Sequence, residues 1–157
     1  MFMLQVKRNE TSCAFHYKDM PALHRIDEHA RLIVTTWSGE ATDRELIDAL
    51  RRYQQDIRSR PNYHGFNEIV DFSGASDYRL STEGLRMLVK VAAEGDVQGL
   101  KTRLAIVVGS PFAYGLARVY EAYRTLVPSL HKEVHVFRNY GEAVEWMTGS
   151  HAAEHRG

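Results

Sequence analysis

The stretch DFSGASDYRLSTEG, Asp71 to Gly84, gathers acids, hydroxyls and glycines between an apolar run and a helical pattern. Three chemistries are open to it: a serine nucleophile, a phosphoryl acceptor, or a helix cap. A nucleophile needs a base within hydrogen-bond reach and a group that orients the base. Asp71 or Asp77 can lie near Ser81, but no histidine closely follows a strand end, so the chain reads as non-enzymatic. A cap needs only the serine oxygen facing a free backbone N–H, and Ser81 and Ser110 both precede helical patterns.

Other motifs dissolve in context. HRID at His24 and DFSG at Asp71 are broken versions of kinase loops, with no Gly-rich phosphate loop before them. GSPFAYG follows a strand but lacks the lysine of a P-loop. His131 and His135 are four apart, as are His151 and His155, yet no acid or cysteine completes a ligand set. The sequence therefore assigns neither a metal nor a cofactor.

The elements that must position these residues follow from periodicity. ALHRID and RLIVTTWSG are strands around a turn at Asp27-Glu28-His29-Ala30. EATDRELIDALRRYQQDIRSRP is a helix with a Thr42/Glu45 capping box, an inner face of Leu46, Leu50, Tyr53 and Ile57, and a stop at Pro61. Phe66 to Phe72 is a buried strand; Leu85, Leu88, Val89 and Ala92 mark a helix ending near Gly95. Thr102 to Gly109 is a strand, and Ser110-Pro111 opens a helix whose inner face is Ala113, Leu116, Tyr120, Tyr123 and Val127. EVHVFR is the last strand, and Asn139 and Glu142 cap a last helix that Gly149 ends.

The order β-β-α-β-α-β-α-β-α predicts an α/β fold with a mostly parallel sheet and one antiparallel strand from the opening hairpin. Residues 1–20 read as a leader or extra strand, 21–149 as one domain and 150–157 as a flexible tail. In such sheets ligands bind beyond the carboxyl ends of the strands. Those ends are Ser38-Gly39-Glu40, Asp71-Phe72-Ser73-Gly74, Gly109-Ser110 and Arg138-Asn139. The helix starts after Ser81 and Ser110 add N–H groups there, a modest anion site.

At 157 residues, with 20 basic and 20 acidic side chains, the chain can bury a core and carries no net field toward nucleic acid. No apolar run spans a bilayer, so it is not an integral membrane protein. The start MFMLQVKRNE has no sustained apolar region, and Cys13 is the only cysteine; both suit a reducing cytoplasm.

The order as a whole, with IVDFSGAS before a helix opening STEGL and with VTTWSGEATDREL, AYGLARVYEAYR and VHVFRNYGEAVEWM around it, resembles the SpoIIAA-like, STAS-fold family. It is similar in particular to small bacterial STAS/SEC14-type proteins related to anti-sigma-factor antagonists. The resemblance, from about Leu23 to Met147, implies a regulatory or binding module with a protein partner or a small ligand. In the antagonists, an Asp-Ser-Ser/Thr-Gly motif at this helix start carries the phosphorylated serine. Here the matching stretch is Arg79-Leu80-Ser81-Thr82-Glu83-Gly84, without the aspartate. The SEC14-type likeness implies an alternative: a carrier or sensor of a small apolar or lipid-like ligand. The tyrosine-rich third helix, with Tyr114 and neighbouring Phe112, accords with it. Gly115, Arg118 and Ala122 fall on the other face of that helix, where a partner helix or an anion fits, and the chain as a whole admits a homodimer. A deep apolar cavity under this helix would favour the carrier; a solid core would favour the partner-binding module.

Overall fold

The computed structural model describes residues 2–3, 20–127 and 132–149. Thus Cys13, His131, His151, His155 and the proposed tail at 150–157 lie outside the described residues. A six-stranded sheet has the order β1-β2-β3-β5-β7-β8, with β1 Phe2–Met3, β2 Ala22–Asp27, β3 Leu32–Trp37, β5 Asn67–Asp71, β7 Thr102–Val107 and β8 Lys132–Phe137. β1/β2 and β2/β3 are antiparallel; β3, β5, β7 and β8 run parallel. The α/β fold anticipated from the sequence is present, and the two-residue β1 pairs with β2 at the sheet's edge.

A second, two-stranded parallel sheet joins β4 Gly39–Thr42 to β6 Ala75–Arg79. This corrects the element order, because ASDYR had read as part of a loop. Its inward pattern is only Ala75 and Tyr78, too short and too polar to register as a strand. The Arg79 guanidinium crosses to Glu40 at 3.0 Å and pins the pair.

Strand alternation assigns the two faces of the main sheet. Val34, Ile69, Ala105 and Val107 point to one face and meet Ala143, Val144, Trp146 and Met147 of α4, Tyr140–Met147. Asn139 caps α4 by accepting the Glu142 N–H at 3.2 Å, and Gly149 ends it with φ +79°, a conformation that favours glycine. The opposite face carries α1 Asp43–Arg58, α2 Thr82–Gly95 and α3 Pro111–Thr125. Thr42 caps α1 through the Glu45 N–H at 3.2 Å, and Ser110 caps α3 through the Ala113 N–H at 3.1 Å. α2 packs chiefly on α1 and α3 and forms an outer tier above them. Among the described residues no helix is long and apolar enough to cross a membrane.

Candidate functional site

Between the sheet and α1, α2 and α3 lies a cavity of about 230 Å³. The register stacks its floor in rows: Thr102 and Lys132; then Glu68 and Leu104; then His24, Thr35, Val70 and Ile106; then Ala22 and Trp37 beside Phe72 and Val108. Leu46, Ala49, Leu50, Tyr53 and Ile57 of α1 form one wall. Leu85, Leu88 and Ala92 of α2 form the roof; Ala113, Leu116, Ala117 and Tyr120 of α3 form the other wall. Leu46, Leu50 and Leu116 are only half-buried although they point inward, because they border space rather than atoms. Tyr78 of β6 plugs the end near the strands' carboxyl termini, its hydroxyl donating to the Phe72 carbonyl at 3.0 Å.

The other end is polar. Lys132 Nζ donates to Glu68 Oε1 at 2.6 Å, and the Tyr53 hydroxyl hydrogen-bonds to the same carboxylate. Arg124, in the last turn of α3, is wholly buried; its Nη2 donates to both Asp96 oxygens, at 3.0 and 2.9 Å. Asp96 follows the end of α2, where the helix dipole disfavours an acid, and Arg124 is its ion-pair partner there. Arg124 Nε and Nη1, and Trp37 Nε1, are buried without a hydrogen-bond partner among the described residues. Burial pushes Tyr120 up to about 12; Arg124 opposes that shift while Asp96 and Glu68 add to it. His24 donates or accepts at 2.8 Å with Thr35 Oγ1, and burial lowers its pKa to about 4 against the opposing pull of Asp56 and Glu68.

The residues singled out in the sequence do not converge on one site. Asp71 accepts the Ser73 N–H at 2.9 Å in a turn beside Gly109 and Ser110 at the carboxyl edge. Asp77 accepts the Tyr78 N–H at 2.8 Å and faces Arg79 at 3.5 Å. Tyr114 packs into the core cluster of Leu104, Ile106 and Val108. Arg118 pairs with Glu121 at 2.7 Å on the exposed face of α3 that also holds Gly115, Ala122, Phe112, Val119 and Leu126.

Ser81 caps α2, accepting the Gly84 N–H at 2.9 Å. Its acidic neighbour is neither Asp71 nor Asp77 but Asp43, the first residue of α1. Asp43 accepts the Ser81 N–H at 3.0 Å and the Ser81 hydroxyl at 2.6 Å. The chain's own carboxylate thus occupies the helix start read as an anion site. A phosphate on Ser81 would break this clamp and face Asp43 and Glu83; Thr82 beside it is exposed. Gly84 makes room for Asp43, because a Cβ there would fall inside its carboxylate. Gly84→Ala, normally favourable in a helix, is expected to cost about 1–3 kcal/mol through the lost charge-assisted bonds. Asp43→Ala should abolish that cost, so a double-mutant cycle in urea tests the clamp; additive effects would reject it.

Arg124, Asp96, Glu68, Lys132, Tyr53 and His24 escaped the search for a site. The signal was positional: Arg124 continues the stripe Ala113, Ala117, Tyr120, and Glu68 alternates inward with Phe66, Val70 and Phe72.

No protein-family profile matches this chain, and no curated protein is significantly similar to it. Among solved structures, it is similar to an uncharacterized protein of the DUF3478 family from Shewanella loihica PV-4 with a SpoIIAA-like fold. Identity is 15%, over 74% of this chain and 83% of that one, with a TM-score of 0.47. That is the fold type the sequence resembles. The likeness is one of fold.

Proposed function

We propose that this protein is a non-enzymatic binding module that encloses a small, largely apolar ligand between its sheet and α1–α3. The cavity of about 230 Å³, walled by leucines, alanines and aromatic rings, carries this reading. An engineered apolar cavity of about 150 Å³ takes up benzene, which scales this space of about 230 Å³ to a ligand of roughly nine non-hydrogen atoms. The cavity's titratable groups favour binding over catalysis. Lys132 and Glu68 neutralise each other, as do Arg124 and Asp96, while His24 stays neutral and Tyr120 protonated near pH 7.

Titration of the ¹⁵N-labelled protein with pentylbenzene is expected to shift amide resonances around Leu88, Ala117 and Tyr120 saturably. Ala117→Leu, which fills the cavity from α3, should suppress the shifts while leaving the circular dichroism spectrum unchanged. Unchanged spectra of the wild-type protein at saturating pentylbenzene would refute the reading.

A further inference from the structure

Tyr78 closes the cavity from outside the main sheet. It belongs to β6, whose Ser76, Asp77 and Arg79 are exposed while Tyr78 is half-buried and lines the cavity. Its ring bridges the gap between two clusters: that of Val108 and Ala113 beneath α3, and that of Trp37, Ala41 and Ala49 beneath α1. One carbonyl fixes both the turn that launches β6 and the tip of the ring. Phe72 O accepts the Ala75 N–H at 3.0 Å and the Tyr78 hydroxyl, also at 3.0 Å. Gly74 lets this turn pass close to β3, since a Cβ there would lie only 3.2 Å from the Trp37 carbonyl. On its other side Tyr78 stands in register with Ala41 of β4.

The two ends of the cavity stop a ligand by different means. At the amino edge stand the ion pairs Lys132–Glu68 and Arg124–Asp96. An apolar chain gains nothing by covering them, because doing so takes charge out of water. At the carboxyl edge the walls are apolar, with Trp37, Phe72 and Val108, and the obstacle is the Tyr78 ring. We propose that Tyr78 is the specificity-determining residue of the cavity and sets the greatest length of apolar ligand that it admits. This rests on the binding function proposed above and adds a size limit to the same site.

Pentylbenzene and heptylbenzene test this by amide-resonance titration. Each buried methylene contributes about fourfold in affinity, so an unobstructed cavity would favour heptylbenzene by roughly fifteenfold. In the wild-type protein heptylbenzene is expected to bind no more tightly than pentylbenzene. Tyr78→Ala should raise the heptyl-to-pentyl affinity ratio at least about tenfold. In that variant heptylbenzene, and not pentylbenzene, should shift the amide resonances of Ala75 and Ser110 at the opened end. Tyr78→Phe keeps the ring and should keep the wild-type ratio. The ratio is taken within each protein, so a general loss of affinity in a variant does not mimic the effect. A wild-type ratio near fifteenfold, an unchanged ratio in Tyr78→Ala, or an equal rise in Tyr78→Phe would each overturn the proposal. Failure of both probes to bind the wild-type protein would overturn the binding function itself and this proposal with it. Should Tyr78→Ala not fold, Tyr78→Val, a better strand residue, opens the same gap and is read in the same way.

Discussion

Arg124→Ala is expected to lower the unfolding free energy by about 3–5 kcal/mol in urea titrations, a large share of a small domain's stability. The guanidinium is fully buried and is the partner of Asp96, whose side chain is itself only 12% exposed. Removing it leaves a carboxylate in apolar surroundings at the negative end of α2, and it opens a hole beneath α3. The cost belongs mainly to the stranded partner. Arg124→Met combined with Asp96→Leu should therefore recover most of the loss, as paired apolar replacements of buried ion pairs do. A change below about 1 kcal/mol for Arg124→Ala would show that the pair is solvated rather than structural.

Acid should destabilise the protein through His24 by about 3 kcal/mol between pH 6.5 and 4. In the unfolded chain the imidazole takes up its proton as pH falls through 6.5; in the folded chain burial delays protonation to about 4. Between these values the unfolded state binds more protons, so stability falls as pH falls. Above about 6.5 both states are neutral and the contribution is flat; below about 4 both are protonated and the loss stops growing. His24→Asn retains a polar group for Thr35 and removes the titration. The difference between the two proteins' stability–pH curves should reproduce this window. Parallel curves from pH 7 to 4 would show that His24 opens to solvent without unfolding.

Elements with a strong period were legible in the sequence. The caps at Thr42, Ser110 and Asn139 act on the expected N–H groups, and Leu46, Leu50, Tyr53 and Ile57 do line the inner side of α1. The hairpin turn also forms, with Asp27 Oδ1 accepting the Ala30 N–H at 2.9 Å. β4 and β6 were not legible, because a four-residue and a five-residue strand with one or two inward side chains each have no period to detect. The polar end of the cavity was hidden for a different reason. A buried charge is legible only with its partner, and Arg124 finds Asp96 28 residues away while Lys132 finds Glu68 64 residues away. Such pairings belong to the tertiary fold and leave no local spacing. The search for a site at the strands' carboxyl edge thus led to Asp71, Ser73 and Ser110, whereas the charged groups gather at the amino edge. The Asp71–Gly84 stretch still matters to the site, through Tyr78 and Leu80, which line the cavity from β6 and the turn after it.

The position of α2 above α1 and α3 bears on time as well as affinity. This helix rests on other helices, tied by Asp43 to Ser81 at its start and by Gln54 to the Val91 carbonyl, at 2.7 Å, near its end. For the ligand proposed above, lifting α2 is one way out of the cavity, and loosening either of these two hydrogen-bonded ties should quicken arrival and departure together.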